Sequence, residues 1–142
     1  MDKTFKMKIV RFLRQVSFVD AKISRNNDEL KKLRNMKTPG NGDQGASWSE
    51  KVAERISELE AENAELMDLR EEVIKTINRI RDIPDLDYTK AEKYILVLKL
   101  RYINGRTWPD IGRSLSYVQR HVREIHDEAL AFIKLPEDER PP

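Results

Sequence analysis

Two long stretches of the chain place apolar residues at alternating spacings of four and three, and a single short glycine-rich break separates them. That pattern leaves few folds open. The first stretch runs Phe5, Ile9, Phe12, Val16, Val19, Ile23, Asn26, Leu30 and Leu33. The second runs Val52, Ile56, Leu59, Asn63, Leu66, Arg70, Val73, Ile77 and Ile80. Each is the seam of a helix that packs along another helix. Three of the five glycines, together with Pro39, fall within residues 38–46, a flexible connector. So short a connector forces the helices antiparallel and brings Asn26 and Asn63 near one level of the hairpin. Ser47 and Glu50 have the spacing of a capping box at the start of the second helix, and Pro84 ends it. A two-helix hairpin buries little alone, and Leu13, Phe18, Met67, Leu69 and Ile74 lie off the seams. The hairpin therefore needs a further helical surface, either a C-terminal domain of the same chain or a second copy.

Charge is segregated along the chain. Overall there are 27 basic and 25 acidic side chains, but residues 1–37 carry 11 basic and 4 acidic, whereas residues 48–88 carry 6 and 12. These blocks attract each other. Residues 89–134 carry 9 basic and 5 acidic side chains, an excess that permits nucleic-acid binding. The run from Glu58 to Glu72 is read as the solvated face of a coiled helix rather than as catalytic carboxylates. The lack of cysteine excludes a disulfide scaffold, a thiol nucleophile and thiolate metal sites. His121 and His126 are five apart and do not share a helix face as two metal ligands four apart would. Lys6, Lys8, Arg11 and Arg14 interrupt the first apolar stretch, so neither a membrane span nor a signal-peptide core is expected. No serine or histidine has a nucleophile setting. The expectation is a cytoplasmic, all-α protein that is not an enzyme and uses no cofactor or metal.

The third segment follows the turn at 83–88. Thr89 and Glu92 have capping-box spacing, and Tyr94, Ile95, Val97, Leu98 and Tyr102 form a short apolar helix that ends at Asn104 and Gly105. Thr107 can then cap a helix with Pro109 in its first turn and Asp110 facing its dipole. A turn at Ser116 leads to a last helix with Val122, Ile125, Ala129, Phe132 and Ile133 on one face, which stops before Pro136. Two short helices with this spacing make a helix-turn-helix. Ile111 and Leu115 fill the first helix's apolar slots, Gly112 sits at the closest approach, Tyr117 follows the turn, and Val122 and Ile125 face inward. Facing outward are Val118, Gln119, Arg120, Arg123, Glu124 and Asp127, with Arg106 and Arg113 flanking them. Arginine can read guanine edges and glutamine adenine edges in the major groove, while flanking cations neutralise phosphates. Trp108, Tyr102 and Tyr117 are expected to pack in the core rather than stack on bases.

Residues Leu98 to Gly112, followed by Tyr117 and by Val122 to Leu130, resemble the sigma-factor region-four type of helix-turn-helix. The likeness is strongest to small phage-encoded transcriptional regulators of the ArpU/RinA kind. It covers about residues 89–134 and is carried by Arg101 and Tyr102, Thr107 and Trp108, Ile111 and Gly112, Tyr117, and His126 with Ala129 and Leu130. The resemblance implies promoter DNA as a partner, beside host RNA polymerase, in the cytoplasm of a bacterial cell at the nucleoid. Two departures stand out. Ser116 replaces the usual turn glycine, and Val118 stands where a serine or aspartate would cap the recognition helix, a loss of about 1 kcal/mol.

The expected organisation is a first hairpin helix over 1–37, a connector over 38–47, a second hairpin helix over 48–83, the helix-turn-helix domain over 89–134 and an acidic tail over 135–142. The leading expectation is a sequence-specific, double-stranded-DNA-binding transcriptional regulator that dimerises through its hairpin. A DNA-packaging adaptor resembling a phage terminase small subunit is a second, and a protein-interaction module that does not bind DNA is a third.

Overall fold

The computed structural model describes residues 2–36 and 42–139. The fold is all-α, with five α-helices among the described residues: α1 (Lys3–Arg34), α2 (Gly42–Asn78), α3 (Tyr88–Leu98), α4 (Trp108–Leu115) and α5 (Gln119–Leu130). Residues 37–41, which include the start of the expected connector, lie outside the described residues. α2 already begins at Gly42, so Ser47 lies inside the helix instead of capping it.

The chain forms two compact units, one spanning Phe18–Leu69 and the other comprising the residues up to Ser17 and from Arg70 onward. The first is the distal part of the hairpin, where Val19, Leu30 and Leu59 are buried. The buried Asn26 donates from Nδ2 to Asn63 Oδ1 at 2.9 Å and to Glu62 Oε1 at 3.0 Å. Asn63 Nδ2 in turn donates to Asn27 Oδ1 at 3.1 Å. The two seam asparagines thus meet at one level, and the amide of Asn26 holds the Glu62 carboxyl below the usual range. Basic residues of α1 and acidic residues of α2 pair as the charge blocks require, in Lys22 with Glu62 (3.4 Å) and Arg34 with Glu60 (3.1 Å). One pairing runs the other way: Arg55 of α2 grips both carboxylate oxygens of Glu29 at 3.0 and 3.1 Å. Phe18 (64% exposed) and Met67 (51% exposed) are left outside this core.

A buried polar layer fixes register at some expense of stability. Replacing both partners, Asn26→Leu with Asn63→Leu, is expected to stabilise the chain by about 1 to 3 kcal/mol while broadening its oligomer distribution. Asn63→Leu alone is milder than a full orphaning, because Glu62 still accepts from Asn26. Thermal melts and analytical ultracentrifugation check both parts, and an unchanged melting point with one unchanged species would deny the layer its role.

The second unit holds the larger core. Ile9, Leu13 and Val16 of α1 and Val73, Ile77 and Ile80 around the end of α2 pack with Tyr94, Ile95, Val97 and Leu98 of α3. Ile111 of α4 and Val122, Ile125, Ala129 and Leu130 of α5 complete it. The hairpin base is therefore part of the same unit as the helix-turn-helix, across the boundary expected at 84–88. Leu13, off the seam by spacing, is fully buried, whereas the seam residue Phe5 is 40% exposed. Leu13 belongs to one cluster with residues of α3 and α5 as well as of α2, so a seam drawn for a single partner helix does not decide burial on α1. α3 starts two residues earlier than the Thr89 signal suggested: Asp87 is its cap, with its side chain accepting from the Lys90 N–H at 3.1 Å. Glu92 instead pairs with Arg81, at 3.2 Å from Nη2. Ile133 and Leu135 are also buried, so the segment expected as a tail begins inside the core, and Lys8 pairs with Glu137.

Candidate nucleic-acid interface

α3 runs on into a single π-helical turn, Lys99–Ile103, closed by the Asn104 N–H on the Lys99 carbonyl at 2.9 Å. Gly105, at φ 66°, reverses the chain. Thr107 then caps α4, its hydroxyl accepting from the Asp110 N–H at 3.3 Å, with Pro109 in the first turn. α4 ends at Ser116, which takes the left-handed conformation at φ 58°. The serine therefore makes the turn that glycine makes more cheaply. Tyr117 donates its N–H to the Gly112 carbonyl at 2.9 Å, and a Cβ built on Gly112 would stand 2.7 Å from the Tyr117 carbonyl oxygen. α4 and α5 meet at this corner with room for hydrogen only. Val118 precedes α5 without a side-chain cap and is exposed, the departure the sequence anticipates.

Of the residues expected at the interface, Gln119, Arg120, Arg123, Glu124 and Asp127 line one open depression on α5. The Arg120 side chain is 90% exposed, with Nε 3.3 Å from Glu124 Oε1. Arg123 lies over the Trp108 ring at 5.6 Å, and Arg101 covers the same ring at 4.2 Å. Arg113 pairs with Asp110 at the surface of α4. Arg106 donates from Nη1 to Ser114 Oγ at 3.0 Å, and its carbonyl accepts from Arg101 Nη1 at 3.0 Å. Arg106 and Arg113 are thus tethered to α4, apart from the α5 depression.

Asp127 is held differently from the other four residues of this lining. Its Oδ1 accepts from His126 Nδ1 at 2.9 Å and from Lys6 Nζ at 3.2 Å. Both bonds fall on Oδ1 and fix the orientation of the carboxylate. Partial burial acts to raise its pKa, yet the bonds from His126 and Lys6 hold it below the usual carboxylate range. His126 is only 5% exposed and fills the space between three groups, with its other nitrogen, Nε2, 2.7 Å from the Tyr102 hydroxyl and its ring edge-on to Trp108 at 4.8 Å. Burial pushes the imidazole below its usual range, so the ring is neutral: the Tyr102 O–H donates to Nε2 and Nδ1–H donates to Asp127. Tyr102 is buried as expected, but Trp108 and Tyr117 are half-buried, packed against the core on one side and open on the other. His121 stands edge-on to Tyr117 at 4.7 Å, away from His126's partners.

The buried network makes stability depend on pH. Both His126 and Asp127 have folded pKa values below their unfolded ones, so the unfolded chain binds protons more readily. The stabilisation is complete above the unfolded histidine value of about 6.5 and is lost as pH falls through the folded one. Asp127 adds a second loss in the acid range. The melting temperature is expected to be lower at pH 5.5 than at pH 7.5. His126→Phe should flatten that difference while costing about 1 to 3 kcal/mol at neutral pH, because the Tyr102 hydroxyl loses its acceptor. Equal pH slopes in parent and variant would mean that His126 does not set the pH dependence.

Two contacts of the site escape inspection of the sequence. Arg101, on the π turn, covers the Trp108 ring. Lys6 reaches Asp127 only through the packing of α1 on α5. Among the described residues no helix is long and apolar enough to cross a membrane. No protein-family model matches the chain, and no curated protein or solved structure matches it.

Proposed function

We propose that the chain is a sequence-specific DNA-binding transcriptional regulator of the phage-encoded ArpU/RinA kind, with α5 as its recognition helix. The observation that carries this reading is the contrast between the two faces of α5. Val122, Ile125, Ala129 and Leu130 are buried, and the opposite face presents Gln119, Arg120 and Arg123 on an open surface. A rigid helix with an unobstructed Gln/Arg row at its N-terminal end suits insertion into a major groove. In this reading Arg113 on α4 and Arg106 just before it would meet the flanking phosphates. Dimerisation through the hairpin belongs to the same proposal: it would supply two half-sites, and the exposed Phe18 and Met67 offer apolar surface for it. A place at the nucleoid, beside host RNA polymerase, follows from the resemblance.

Selection of bound duplexes from a random pool by the full chain tests the proposal, with affinity then measured across salt concentrations. The expected result is one enriched motif, bound more weakly as salt rises. Enrichment of no motif and the absence of salt-sensitive binding would favour a protein-interaction module, and ring-sized assemblies in mass photometry would favour a packaging adaptor.

A further inference from the structure

The start of α1 carries a basic surface that the helix-turn-helix does not account for. Lys3, Lys6, Met7, Val10, Arg11 and Arg14 recur at helical spacing and line one open depression. Met7 is 55% exposed. Lys3, Arg11 and Arg14 are exposed and have no carboxylate partner among the described residues. Lys6 differs, because its ammonium is fixed 3.2 Å from Asp127 Oδ1. Asp127 in turn lines the depression that holds Gln119, Arg120 and Arg123. The Lys6–Asp127 pair is therefore the border between two neighbouring surfaces of one compact unit.

We propose that this stripe of α1 is a second DNA-contacting surface, in which Lys3, Arg11 and Arg14 bind the phosphate backbone that borders the groove occupied by α5. The inference rests on the recognition-helix reading. Unpaired cations along one helix face repel one another and complement an anion of extended shape. From Lys3 to Arg14 the stripe is roughly 17 Å long at 1.5 Å per residue, enough to meet several successive phosphates. These contacts carry no sequence information; they add affinity and set the orientation of α5. Lys6 marks the junction, since its bond to Asp127 links α1 to the recognition helix.

The test uses the full chain with Lys3→Gln, Arg11→Gln and Arg14→Gln together, and Arg14→Gln alone, on the selected duplex and on an unrelated duplex of the same length. Circular dichroism establishes the fold, which these exposed positions should leave intact. For the triple variant the slope of log affinity against log salt should become shallower by about 2 to 3, and for Arg14→Gln by about 1. Affinity should fall by a similar factor, tenfold or more for the triple variant, on both duplexes, so the preference for the selected one persists. A parent that binds DNA with the same slope as the folded variants overturns this inference alone. A parent that binds no duplex overturns the recognition-helix reading as well. A smaller sedimentation coefficient of the DNA-free variant would assign the stripe to a second copy of the chain, and so also overturn the inference.

Discussion

Gly112→Ala is expected to destabilise the protein by about 1 to 3 kcal/mol, in the opposite direction from what helix preference predicts. In an open helix the same change would stabilise by roughly 1 kcal/mol. Here the new methyl meets the Tyr117 carbonyl at 2.7 Å, and that oxygen is backbone, fixed between α4 and α5. The corner can yield only by moving α5, which would pull Val122 and Ile125 from the core. At roughly 2 to 4 °C per kcal/mol for a chain of this size, the fall in melting temperature is easily measured. Gly105→Ala is the control, because nothing lies within 4 Å of its added Cβ and only the φ of 66° opposes it. A rise in melting temperature for Gly112→Ala would mean that α4 and α5 are not pinched together there.

That corner is also the part of the structure most legible in the sequence. Thr107, Pro109, Ile111, Gly112, Ser116, Val122 and Ile125 act over one or two turns, so spacing alone assigns them to cap, wedge, close approach and buried face. The Asn26–Asn63 level was legible for a related reason, since a short connector ties the registers of two long helices together. Elsewhere local signals competed with others that spacing does not rank. Thr89 and Glu92 fit a capping box, yet Asp87 takes the cap and Glu92 turns to Arg81. Ser47 and Glu50 fit one too, inside a helix that already runs from Gly42. Leu13 and Phe5 exchange their expected burial because α1 packs on more than one neighbour, and a single seam describes only one of them.

The candidate site was legible as a row of side chains and not as a network. Helical spacing put Gln119, Arg120, Arg123, Glu124 and Asp127 on one face, and they do line one depression. Their individual states depend on residues far away in sequence. Lys6 and the neutral His126 engage Asp127, while Trp108 supports Arg123 and Arg101. Such contacts form only once α1 and the π turn are packed. They divide the face into a committed end at Asp127 and an open end at Gln119 and Arg120.

Base reading is expected at the open end. Arg120→Ala and Arg123→Ala should each weaken binding to the selected duplex by about 1 to 3 kcal/mol, the range for losing a bidentate base contact. Losses on unrelated DNA should be smaller, because only a phosphate attraction is removed there. Arg120 has the cleaner substitution, being 90% exposed with only Glu124 beside it. At Arg123 the lost contact with Trp108 belongs in the comparison, so melting points of both variants must accompany the titrations. The decisive measurement is the ratio of affinities for the selected and the unrelated duplex, in the parent and in the folded double variant Arg120→Ala with Arg123→Ala. A ratio that falls at least tenfold supports α5 as the recognition helix; a double variant that binds and discriminates as the parent does would contradict it.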